Sequence, residues 1–162
     1  MIDEWLFVLT LLSALGSGLM AGFFYGFSTV IMKALARLEP PWGIAAMNSI
    51  NLVVINPWFL AVFLGTGLAG LALAVSSLFR WHEPGAGYRL AGGLLYVAGT
   101  FLVTMIFNVP RNNALAAVDP SSAEGARLWA DYLRSWTAWN HVRTAAALAA
   151  AALFTLGLCA GR

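Results

Sequence analysis

Four stretches of the chain are apolar over a length that can cross a bilayer. They run from about Trp5 to Met32, Pro57 to Leu78, Leu90 to Phe107 and Trp136 to Leu158. A hydrocarbon core of about 30 Å takes roughly 20 helical residues, and none of the four runs has the alternating polarity of a membrane strand. The pattern therefore predicts an all-α integral membrane protein: an antiparallel four-helix bundle with both termini on one face.

Two connections between these spans are long enough to hold further helices. The first contains Pro40 and Pro41 and predicts a short amphipathic helix from Trp42 to Val54. The second predicts a helix from about Ala123, placed before the fourth span. We expect Pro110 to break the third helix, because proline lacks the N–H that continues the ladder. Both connections would lie on the same side of the membrane and could cap one pocket there.

Composition supports a membrane location and excludes several classes of protein. The 162 residues are 60% hydrophobic and 10% charged, whereas soluble domains carry about 25% charged residues. The net charge of +2 and the scattered basic residues argue against a nucleic-acid partner. We expect one domain over residues 1–162 in the bacterial inner membrane, without a cleaved signal peptide. The basic residues do not decide which side faces the cytoplasm, and the lone Cys159 allows no intrachain disulfide.

A stripe of small residues follows one face of the first span. Gly18, Gly22 and Gly26 recur every four residues, the spacing that lets a second helix approach closely. Packing inside the bundle is the preferred interpretation. The alternative is that the stripe joins copies of the chain into a homo-oligomer.

Candidate chemistry is concentrated at the start of the fourth span. Trp136, Trp139, Asn140 and Arg143 share one helical face. An arginine within a span usually faces the bundle interior or a wet cavity, although Arg143 could also snorkel to the headgroups. His141 is either a general acid or base or a structural hydrogen-bonding residue. The candidate catalytic residues are His141, Arg143 and Asn140.

A pocket is expected beside these residues, at the end of the bundle that carries the long connections. We predict that Asn108, Arg111 or Asn112 contacts the fourth span at Asn140 and Arg143, because buried polar groups need partners. The predicted substrate-binding residues are Asn108, Arg111, Asn112, Trp136, Trp139, Tyr25 and Phe107. Tyr25, Phe107, Trp136 and Trp139 are expected to form the apolar wall, with His141 or Arg143 at its polar end.

No resident cofactor is predicted. The spans contain no His pair at helical spacing, no Glu-x-x-His motif and no carboxylate, so no metal site is expected. There is no strand–glycine loop–helix unit for a dinucleotide. A haem with a single axial histidine remains open.

Four segments together resemble the anthrone oxygenase family of small four-helix membrane proteins from bacteria and fungal polyketide pathways. The segments are Ala21–Ser28, Met47–Asn51, Asn108–Leu115 and Trp136–Thr144. The resemblance implies an oxygenase that converts an aromatic anthrone to an anthraquinone with O2 and without an established metal or flavin. In such a reaction His141 could act as the base and Arg143 as the oxyanion stabiliser. The competing interpretation is a non-enzymatic membrane module that binds a lipid or quinone, or a subunit that packs against a partner.

Overall fold

The computed structural model describes residues 3–161, and almost all of them are helical. The five helices are α1 (Glu4–Leu35), α2 (Pro40–Val53), α3 (Pro57–Phe79), α4 (Ala86–Ala117) and α5 (Ala123–Ala160). All except α2 are long and apolar enough to cross a membrane, and residues 3–161 contain no β-strand. The predicted all-α fold with four spans is confirmed.

Local signals in the sequence set where the helices begin. The Asn56 side chain accepts hydrogen bonds from the backbone N–H groups of Trp58 and Phe59 at 3.1 and 3.0 Å. Pro57 follows in the first turn of α3, where a missing N–H costs nothing. Ser122 caps α5 in the same way, through the N–H of Gly125. These caps fix the points at which both long connections enter the bundle.

Two predicted boundaries are absent from the structure. The helix expected before the fourth span and the span itself form one continuous helix of 38 residues. No proline interrupts this stretch. The expected break at Pro110 is wrong, because α4 continues through it to Ala117. Pro110 falls directly after a π-helical segment, Thr104–Asn108, where the backbone ladder already departs from the α pattern. The Arg111 guanidinium donates to the Phe107 carbonyl at 2.7 Å, which satisfies one acceptor near the proline.

A charged cluster lies at the end of the bundle that carries the α3–α4 turn. Arg80 pairs with Asp3 and with Glu83, and Glu83 in turn contacts Arg89 at 3.4 Å. The hydrogen bond to Asp3 raises the pKa of the Arg80 guanidinium. Gly85 has a φ of 81° in this turn, a conformation that favours glycine. Contact between the start of α1 and the end of α3 supports the antiparallel order, which stays a prediction.

The glycine stripe on α1 does not pack inside the bundle, so the preferred interpretation of it is wrong. A side chain at Gly18, Gly22 or Gly26 would meet no atom within 4 Å. Close helix approach occurs instead where Gly70 of α3 faces Gly93 of α4. Glycine spacing alone does not show which face of a helix is covered. A homo-oligomer through the stripe stays a prediction.

The amphipathic helix α2 covers the end of the bundle opposite the charged cluster. Ile44 and Met47 are buried against Leu115 of α4 and against aromatic residues of α5. The opposite face of α2, including Leu52, is exposed. This helix therefore closes the bundle from above and leaves a space beneath it.

Candidate functional site

A cavity of about 400 Å³ lies beneath α2, among the ends of the four spans. Its walls are largely apolar, and Phe24, Phe27 and Phe59 are among the residues that form them. The polar lining residues are few: Asn51, Thr104, Asn112 and Arg143. A mostly apolar pocket with a small convergent polar group is the usual form of a small-molecule site. Of the four residues predicted as its apolar wall, Trp136 is in place.

Arg143 is buried at the polar end of this cavity, with 4% of its surface exposed. Its guanidinium carbon lies 4.2 Å from the ring centre of Phe24 and 5.0 Å from that of Trp136. Aromatic faces attract a cation, and they do so more strongly where water is excluded. Arg143 therefore faces the interior and does not snorkel. No carboxylate among residues 3–161 pairs with it.

Asn140 holds Arg143 in this position. The side-chain oxygen of Asn140, Oδ1, accepts a hydrogen bond from Arg143 Nη2 at 2.6 Å. The Asn140 amide nitrogen donates to the Phe24 carbonyl and to Ser28 Oγ, both at 2.7 Å. All of Asn140's polar atoms are thus engaged inside the protein, and the residue is completely buried. Asn140 links α1 to α5 and orients the guanidinium, and it has no group left to offer a ligand.

Four polar residues of α4, which we call the polar ladder, all bond to α5. Thr100, Thr104, Asn108 and Asn112 recur every four residues. In a regular α-helix each such step would advance by about 40° around the axis. The π-helical segments Leu95–Leu102 and Thr104–Asn108 have wider turns, and the four residues stay on one face. Their partners along α5 are, in order, the Arg143 carbonyl, Arg143 Nη1, the Trp136 carbonyl, and the Tyr132 hydroxyl together with Trp136 Nε1.

This ladder corrects the predicted contact between the third and fourth spans. Asn108 and Asn112 do bond to α5, but at Trp136 and one turn before it, and not at Asn140 and Arg143. α-Helical periodicity does not hold through the π-helical segments, so the facing pairs are displaced along α5. Thr104, which was not among the predicted site residues, bonds to Arg143 at 3.2 Å. The four-residue spacing that begins at Thr100 was the available signal.

Several predicted site residues lie outside the cavity. His141 is exposed and lines a separate hollow with Lys33 and Thr137. Phe107 and Trp139 stack on each other, with ring centres 3.6 Å apart, and neither lines the cavity. Their predicted place in its wall is therefore wrong, as is that of the exposed Tyr25. His141 is only two positions from Arg143, but positions two apart point in different directions around a helix.

Arg111 also takes a supporting place. Its Nε donates to Ser135 Oγ at 3.1 Å, and its Nη1 donates to the Phe107 carbonyl. Arg111 therefore ties α4 to α5 just outside the cavity. The substrate-binding role predicted for it stays a prediction.

Comparison with known proteins identifies the family. The sequence model of the anthrone oxygenase family matches residues 57–153. The chain belongs to this family. The match covers α3, α4 and α5 as far as position 153 and so includes the polar ladder, Asn140 and Arg143. No curated protein and no solved structure matches this anthrone oxygenase family member significantly.

The residues of this family member offer little to a metal ion. Within residues 3–161 no three His, Cys, Asp or Glu side chains come together. The described lining of the cavity contains no His, Cys, Asp or Glu. The absence of a resident cofactor stays a prediction.

A second hollow adjoins the cavity on its lipid-facing side. It lies between α1, α2 and α3, and five of its lining residues also line the cavity. Its outer rim includes Val53 and Trp58, whose side chains are exposed. The hollow therefore joins the cavity to the apolar outer surface of the bundle.

Proposed function

We propose that this protein is a membrane oxygenase that oxidises a hydrophobic aromatic substrate of the anthrone or phenol type with O2. The observation that carries the proposal is Arg143, a buried cation without a carboxylate partner in the described chain, at the polar end of an apolar cavity. Membership of the anthrone oxygenase family supports the same reaction class. An aromatic ring system would fill the apolar part, and its oxygen would meet the guanidinium.

In the proposed reaction the substrate itself reduces O2. An anthrone loses one proton from its ring methylene to water or hydroxide, and the electrons spread onto the carbonyl oxygen as an enolate. The enolate carbon reduces O2 and forms a C–O bond, and the resulting peroxide takes up a proton. Loss of water, which removes the second methylene hydrogen, leaves a carbonyl. One oxygen atom thus enters the product and the other enters water.

Arg143 would act on the charge that develops in this reaction. A guanidinium offers a planar pair of donors to an oxyanion, and a donor fixed in a water-poor site stabilises a developing charge strongly. Asn140 and Thr104 would keep it in place before the substrate arrives. Phe24 and Trp136 would pack on the aromatic rings. His141 lies outside the cavity, so the proposed reaction does not use it.

Oxygen uptake with an anthrone in detergent micelles tests this proposal. Arg143→Lys should lower turnover by about 10²–10³-fold, the cost of removing one positioned oxyanion donor. Arg134→Lys is the matched control, because Arg134 lies on the same helix with its side chain 79% exposed. Equal rates in the wild type and both folded variants would refute the role of Arg143. A protein without uptake that still binds a quinone or lipid would favour the binding-module alternative.

The same assay tests the role first predicted for His141. If His141 were the general base, His141→Ala would lower turnover by about 10²–10⁴-fold. Its position in the separate hollow predicts unchanged turnover instead.

A further inference from the structure

Hydrogen-bond donors predominate at the polar end of the cavity, around the Arg143 guanidinium. The Asn112 carbonyl oxygen already accepts from the Tyr132 hydroxyl and from Trp136 Nε1, both at 2.8 Å. The Asn112 side-chain NH2 group, with two N–H donors, is available to bond to a ligand. The Thr104 hydroxyl donates to the Thr100 carbonyl and accepts from Arg143.

Arg143 and Asn51 strengthen this pattern. A guanidinium has five N–H donors and no acceptor, and the protein engages Arg143 through two of its nitrogens. Arg143 Nε and Asn51 Nδ2 are buried without a hydrogen-bond partner among the described residues.

The cavity also lacks a group that could remove a proton from a ligand. Arg143 is the ionisable residue of its described lining, and the lining residues from α1, α2, α3 and α4 are all neutral. On α5, the Tyr132 hydroxyl is committed to Asn112. Arg111 of α4 bonds to Ser135 and to a backbone carbonyl, and Lys33 and His141 line the separate hollow.

From this geometry we infer that the cavity selects its ligand as an oxyanion that is ionised before it binds, with a second acceptor oxygen directed to the Asn112 amide. A neutral phenol would leave the charge of the buried Arg143, which has no carboxylate partner among residues 3–161, without a counter-ion. The ionised form presents acceptors alone and meets Arg143. This inference rests on the proposed function for the identity of the site, but it concerns binding and needs no O2.

The two donors fix the approximate shape of such a ligand. Trp136 lies between them, with its Nε1 edge bonded to Asn112 and its ring face 5.0 Å from the Arg143 guanidinium carbon. A ligand that reaches both donors therefore needs two separate acceptor oxygens on a flat ring system. Hydroxyquinones, with an acidic hydroxyl and a carbonyl on a flat ring system, have this arrangement.

Binding of three naphthoquinones to the detergent-solubilised protein, followed by quenching of tryptophan fluorescence under nitrogen, tests the inference. The probes are the strongly acidic 2-hydroxy-1,4-naphthoquinone, the weakly acidic 5-hydroxy isomer and the 2-methoxy ether. Affinity for each hydroxyquinone should rise at least about tenfold as the pH passes through that ligand's own pKa. The ether should bind weakly at every pH. One inflection shared by all three ligands, or an ether as tight as the 2-hydroxy compound, would overturn the inference.

Variants separate the ligand's ionisation from that of a protein group. His141→Ala should leave both inflections unchanged, and a shifted inflection would mean that a protein base takes part. Asn112→Asp keeps an oxygen for Tyr132 and Trp136 but replaces the amide donors, so it should weaken binding of the ionised 2-hydroxy compound at least about tenfold. Unaltered binding in this variant would remove Asn112 from the site. Arg143→Gln should abolish the preference for the ionised ligand.

Anion-selective binding without O2 consumption would keep this inference and refute the oxygenase. Consumption of O2 with a pH dependence set by a protein group would do the reverse.

Discussion

Replacing Asn140 with leucine should destabilise the folded protein more than any other single change to the hydrogen bonds of the cavity. Leucine has nearly the same size but bonds to neither Phe24 nor Ser28, which lose their 2.7 Å contacts across to α5. Hydrogen bonds between membrane helices contribute about 0.6 kcal/mol on average and up to about 1.7 kcal/mol. The larger cost in free energy comes from Arg143, because its Nη2 loses the 2.6 Å hydrogen bond to Asn140 Oδ1.

A buried charged donor left without its acceptor costs about 1.5–3 kcal/mol. Together with the two interhelix bonds, this gives an expected loss of about 3 kcal/mol in the free energy of unfolding. The measurement is reversible unfolding in mixed micelles, with helicity followed by circular dichroism as the SDS fraction rises. Thr155→Val on the same helix is the control, because Thr155 is exposed and bonds only within its own turn.

The double variant of Asn140 and Arg143 sharpens the test. If the cost comes from the orphaned guanidinium, then Arg143→Leu introduced together with Asn140→Leu should be no less stable than Asn140→Leu alone, since a buried pair replaced by apolar residues is often neutral. A loss below about 1 kcal/mol in the single variant would refute the reasoning. It would mean that Arg143 finds water or another partner when Asn140 is gone.

Three further changes have defined outcomes in the same unfolding assay. Gly93→Ala should lower the free energy of unfolding by about 1–3 kcal/mol, because its Cβ would meet the Gly70 carbonyl. Gly18→Ala, with nothing within 4 Å, should be neutral or slightly stabilising in a monomer. Trp136→Phe should cost about 0.5–1.5 kcal/mol, because it loses the 2.8 Å bond to Asn112. Equal effects at Gly93 and Gly18 would contradict the packing described here.

The sequence predicts the spans well because their signal is additive over many residues. Hydropathy over about 20 positions identifies four helices whatever their packing, and the Asn56 cap is a local signal that needs no tertiary information. Position along a helix follows from the same count of residues, although Asn108 contacts α5 at Trp136 and not at Arg143.

Direction around each helix is harder to predict than depth. Whether His141 reaches the cavity depends on its angle around the axis of α5. Arg143, two positions along the same helix, lines the cavity, whereas His141 lines the separate hollow. Gly18 shows the same limit. A small residue allows a helix to approach closely, but it does not indicate whether another helix lies there. The register between α4 and α5 could not be predicted, since α-helical periodicity fails in the π-helical segments.

Those π-helical segments make the length of α4 as informative as its composition. If one residue were deleted between positions 95 and 102, an α-helical ladder could re-form there. Every later position would then rotate by about 100° relative to α5. Asn108 and Asn112 would swing away from Trp136, although both asparagines would still be present in the sequence. When family members are aligned, a one-residue gap in this stretch should therefore mark proteins with a different ligand, even where the polar residues on both sides match.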